Sequence, residues 1–124
     1  MRVRSLISTT TFALFVLTSV PAVRAEAKPV TVKGWVLDSA CAFTKDIKKP
    51  VSAECAKACA KAGSPLVILA DNGSLYWPTS DAMPATGQNE KLLPFAGERV
   101  VVHGRLYERG GSKALLIENI EAAK

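Results

Sequence analysis

Three cysteines, Cys41, Cys55 and Cys59, are the residues whose type and spacing could carry chemistry in this chain. Cys55 and Cys59 stand four apart, so a helix would set both sulfurs on one face. Cys41 would supply a third sulfur from outside that helix. Three thiolates suit a soft ion such as Cu(I), or Zn with an added ligand. The same atoms could instead form a disulfide from Cys41 to Cys55 or Cys59, contributing about 3 kcal/mol for a ring of this length and leaving one thiol over. A thiol redox accessory role is the third reading. It rests on Cys55, placed in the first turn of the expected helix, where the dipole and unpaired amides favour a thiolate. Neither Cys-x-x-Cys nor Cys-x-x-Cys-His occurs, which argues against thioredoxin-type exchange and c-type haem attachment.

Other candidate residues are fewer. Asp38 precedes Ser39 and Cys41 at a strand end, where it would accept hydrogen bonds from the following turn or, less commonly, act as an oxygen ligand. His103 is the only histidine. Strand alternation puts it on the solvated face, with Val101, Arg105 and Tyr107. Trp35 and Trp77 could form a stacking platform for a sugar or a peptide, although a domain this small is expected to use its aromatics, Phe43 among them, to fill its core. The chain has no Gly-rich phosphate loop, no Gly-x-Ser-x-Gly elbow and no histidine beside a nucleophile in sequence, so the expectation is that it is not an enzyme.

Residues 1–25 read as a secretory signal peptide: a basic start at Arg2 and Arg4, an apolar run through Phe12–Leu17, and a small-residue cleavage site ending at Ala25. The apolar run is shorter than the ~20 residues a spanning helix needs. Removing this leader takes away Arg2, Arg4 and Arg24 and lowers the formal charge from +5 to +2. So small a charge gives no electrostatic reason to expect nucleic acid as a partner. The expected mature protein, residues 26–124, is one domain, periplasmic or secreted, without a membrane anchor. Its expected partner is a small ligand or another exported protein.

The cysteines need elements to position them. Pro29–Asp38 alternates as a strand, with Val30, Val32, Gly34 and Val36 facing one way. Residues 39–51 read as an exposed loop carrying Lys45, Lys48 and Lys49. Ser52 is a plausible N-cap for an alanine-rich helix over Ala53–Ala62 that Gly63 and Pro65 stop. Leu66–Ala70 and Leu75–Trp77 flank Asn72-Gly73 as a hairpin. Residues 78–97 read as a long connection with one helical turn near Glu90–Leu93. Arg99–Tyr107 and Ala114–Ile120 complete five strands. Gly34 and Gly104, inside strands, mark places where a sheet bends at a barrel corner. A mainly β chain with one early helix, closed as a small OB-like five-stranded barrel, is the expected fold; a flat antiparallel sheet covered by the helix is the rival.

The run Gly34-Trp35-Val36-Leu37-Asp38-Ser39-Ala40-Cys41, the pair in Cys55-Ala56-Lys57-Ala58-Cys59, and Phe95–Leu106 together resemble a group of small exported bacterial proteins with an OB-like barrel. The resemblance covers nearly the whole mature chain. It implies a signal peptide and a cysteine-bearing barrel domain, and no particular activity. Members with a histidine in the loop after the first cysteine differ from this chain, which has none between Cys41 and Cys55.

Overall fold

A computed structural model describes residues 26–45 and 52–124. The leader expected over residues 1–25, and the part of the lysine loop at 46–51, lie outside the described residues. Five strands form a closed barrel: β1 (Lys28–Asp38), β2 (Leu66–Ala70), β3 (Leu75–Thr79), β4 (Arg99–Arg109) and β5 (Ser112–Ala122). Their order around the barrel is β1-β2-β3-β5-β4, with β4 returning to β1. Every pairing is antiparallel except β3 with β5, which run parallel. This is an OB-like barrel rather than a flat sheet, because the last strand pairs both with β4 and with the edge that β3 would otherwise leave open.

The two strand glycines explain how so short a sheet closes. β1 pairs with β4 over Lys28–Trp35 and with β2 over Gly34–Asp38, so Gly34 sits where the strand changes partner. A side chain there would overlap the backbone of Leu69 and Ala70. On β4, the register slips between His103 and Gly104, leaving Glu118 of β5 as an extra residue in a bulge. A side chain at Gly104 would strike the Leu116 carbonyl. Gly73, at φ +82°, turns β2 into β3 as the Asn-Gly signal predicts.

Period-two alternation places Val32, Val36, Val100, Val102, Leu106, Leu115 and Ile117 inside. The helices come next. α1 (Ser39–Thr44) follows β1 directly, where the sequence suggested loop. α2 (Ala53–Lys61) begins at Ser52, whose hydroxyl accepts the Cys55 amide at 3.2 Å, and buries Ala56 and Ala60 against the barrel. A short α3 (Asn89–Leu92) continues into a 3-10 turn over Leu93–Phe95 and drives Leu92 and Ala96 into the core. No helix among the described residues is long and apolar enough to cross a membrane.

The expectation that the aromatics fill the core is corrected. The buried cluster is aliphatic, with Tyr76 and Phe95 only packed against it. Phe43 and Trp77 are exposed. Branched aliphatic side chains suffice to fill a five-stranded barrel whose two corners are pulled tight by glycine.

Candidate functional site

The end of β1 organises the thiols. Asp38 is buried and caps α1: its Oδ1 accepts the Cys41 amide at 2.8 Å, and its other oxygen accepts the Ser64 hydroxyl. Ser64 in turn donates its amide to the Cys59 carbonyl at 3.1 Å, and Ser39 donates to the Pro65 carbonyl at 2.9 Å. One carboxylate thus ties the start of α1 to the segment that ends α2. The expected turn role of Asp38 is what the structure shows. Burial pushes its carboxyl up, yet the hydrogen bonds from Ser64, Cys41 and Ala40 outweigh that and hold it below the usual range.

All three sulfurs are free thiols, Cys41 and Cys59 half-buried and Cys55 exposed. Burial pushes the Cys41 thiol up, and the hydrogen bond and charge of Asp38 add to this, followed by the neighbouring Cys55 and Cys59. Cys59 is raised by burial, then by Asp38, then by Cys55, with which it shares a hydrogen bond. In the metal-free protein both surroundings favour the protonated thiol. Among the described residues, no group of three or more His, Cys, Asp and Glu side chains is spaced to hold a metal ion. Nothing in the described residues thus supports the copper or zinc site that the cysteine spacing suggested. His103 does not join the cluster. It is exposed on β4 and pairs across to Thr31 with Nδ1 3.0 Å from the hydroxyl, seven β1 residues and up to about 23 Å along the strand from Asp38.

A second site lies beside the first, and the sequence did not announce it. Phe43 of α1 leans over Trp77 of β3, their ring centroids 6.0 Å apart and their planes tilted by 32°. They wall a groove of about 400 Å³ with Ser74, Gly111, Ser112 and Lys113. Trp77 also borders a groove of about 300 Å³ on its far side, next to Pro65, Leu66 and Gln88. Lys113 is tethered: its Nζ donates to Ser74 Oγ at 3.0 Å and sits 5.5 Å from the Tyr76 ring centre. The expected pairing of Trp35 with Trp77 does not occur. Trp35 borders a separate groove of about 290 Å³ with Leu69, Asp71 and Gly73, and the aromatic partner of Trp77 is Phe43.

In barrels of this topology, ligands lie across the β2–β3 face between the β1–β2 and β4–β5 connections. Here Phe43 belongs to the first connection, Trp77 to β3, and Gly111 adjoins β5 in the second. The sequence offers Trp77 as a stacking residue but assigns Phe43 to the core, because residues 39–51 carry no helical periodicity. The missed signal is Asp38 itself, an N-cap residue followed by small residues. Comparison of the chain with protein-family models, with curated proteins and with solved structures finds no significant match to any of them.

Proposed function

We propose that residues 26–124 are an exported OB-like module that binds an oligosaccharide across Phe43 and Trp77. One observation carries this reading: an exposed aromatic pair, one ring on the first connection and the other on β3, borders the ligand face of such a barrel. The apolar face of a sugar ring stacks on an indole. Its hydroxyls would find the Ser74 and Ser112 hydroxyls and the Lys113 ammonium along the groove. A nucleic-acid strand suits the site less well. Lys113 is the single cation among the groove's described lining residues, whereas a phosphate backbone is held by a stripe of them. Export is supported by the leader-like composition of residues 1–25 and by the resemblance to exported barrel proteins.

Calorimetric titration of the exported protein, whose first residue is expected to be Glu26, with neutral and acidic oligosaccharides tests the proposal. Trp77→Ala should weaken binding by about 2 kcal/mol, roughly thirtyfold, as central aromatic contacts do. Trp35→Phe should leave it unchanged. Equal losses from both, or affinity for peptides alone, would remove the sugar reading.

A further inference from the structure

Trp77 has a groove on each side, and the two differ in chemistry. The Phe43 side, about 400 Å³, offers Ser74, Ser112 and Lys113. The far side, about 300 Å³, has Pro65, Leu66 and Pro78 as apolar wall and Thr79, Gln88 and Asn89 as polar residues, and none of its described lining residues is charged. Each groove alone stands near the low end of ligand pockets, about 300–1,000 Å³. The exposed indole is the wall they share, so a chain-like ligand that stacks on it can enter both.

The polar side chains of the far groove are not equally free. Asn89 is used up by the fold: its Oδ1 accepts the Leu66 amide at 2.9 Å, and its Nδ2 donates to the Ser64 carbonyl at 2.8 Å. Gln88, one residue earlier, is only half used. Its Nε2 donates to the Thr86 carbonyl at 3.0 Å and lies 3.4 Å from the Gly87 carbonyl. Both partners are acceptors, which fixes the nitrogen end of the carboxamide on their side. The other end, Oε1, is buried and finds no hydrogen-bond partner among the described residues. A buried acceptor without a donor is destabilising, and a ligand that brings the donor recovers the loss.

We propose that the far groove is a second sugar subsite, in which a hydroxyl of an uncharged unit donates to Gln88 Oε1 while the neighbouring unit lies on Phe43 and Trp77. Gln88 as a whole is half-buried, and the terminal torsion of a glutamine is soft, so the oxygen can turn toward the groove without moving the backbone. A carboxylate or phosphate does not suit this position. It would set one acceptor against another, and no described lining residue balances its charge. The subsite rests on the sugar reading of the Phe43–Trp77 face and adds to it a minimum length of two units.

The test combines NMR and calorimetry on the exported protein with glucose and N-acetylglucosamine oligomers, from one unit to four, and with galacturonic acid oligomers of the same lengths. Single units should shift the backbone amide signals of Ser74 and Lys113 and leave the Gln88 side-chain amide in place. From two units on, the Gln88 side-chain signals should move as well, and affinity should rise about tenfold, as one recovered hydrogen bond can supply. The galacturonic acid series, with a carboxylate on every unit, should show no such rise. Gln88→Met, similar in length but without the acceptor, should cancel the rise for the uncharged oligomers. It should leave the affinity for a single unit unchanged, which also shows that the variant is folded. Affinity that does not grow with length, a Gln88 signal unmoved by the longer oligomers, an equal rise in the acidic series, or Gln88→Met binding the longer oligomers as well as the parent would each overturn the subsite and leave the Phe43–Trp77 face standing. Binding of none of these sugars would remove the sugar reading itself, and the subsite with it.

Discussion

Asp38 is the residue on which the thiol site turns. A carboxylate buried at the end of a strand is stable there only if its oxygens are used, and both are, by the Cys41 amide and the Ser64 hydroxyl. Those hydrogen bonds favour the charged form, so the folded value lies below the ordinary 3.8. The contribution to stability is then fully present above pH 3.8 and is lost as pH falls through the lowered folded value. Asp38→Asn should destabilise the protein by about 1–2 kcal/mol at neutral pH, through the weakened cap, and should lack this acid-dependent loss. Denaturant titrations at neutral and acidic pH read both effects. Removing the negative charge also lowers the two thiols it raises, so Cys41 and Cys59 should alkylate faster in the variant at neutral pH.

Among the elements, those with a repeating pattern were legible in the sequence. The alternation of Val30, Val32, Gly34 and Val36, the matching run on β4, the Ser52 cap of α2 and the Asn72-Gly73 turn all appear where the residues placed them. What was not legible has a physical reason in each case. α1 is only six residues long and buries none of them, so it has no apolar stripe to betray it. The contact of Phe43 with Trp77 joins residues 34 apart, through a helix that local pattern did not reveal. The thiols were seen as a group, but their protonation depends on Asp38 and on burial, which spacing does not encode. α3 was visible as a single turn, and its importance comes from Leu92, fully buried in the barrel core. Leu92→Ala should cost about 2–5 kcal/mol. In a domain of this size thermal unfolding should report that as a fall of at least roughly 8 °C. Truncating the exposed Met83 to alanine should leave the transition in place.

At the scale of the whole molecule, closure depends on two positions without side chains. Gly34 lets β2 approach β1 where the latter changes partner, and Gly104 lets the Leu116 carbonyl come close beside the bulge. Gly104→Ala must push β5 away from β4, the most extensive pairing in the barrel. Overpacking of this kind costs about 1–3 kcal/mol. Circular dichroism melts should show the loss, with Gly34→Ala behaving alike and Gly87→Ala, which meets open space, unaffected. Closure by aliphatic side chains has a further, optical consequence. With Trp77 exposed, Trp35 only half-buried and no tryptophan in the sealed interior, the protein's native emission comes from indoles at its surface. Its colour follows what touches the outside of the barrel far more closely than whether the inside is intact.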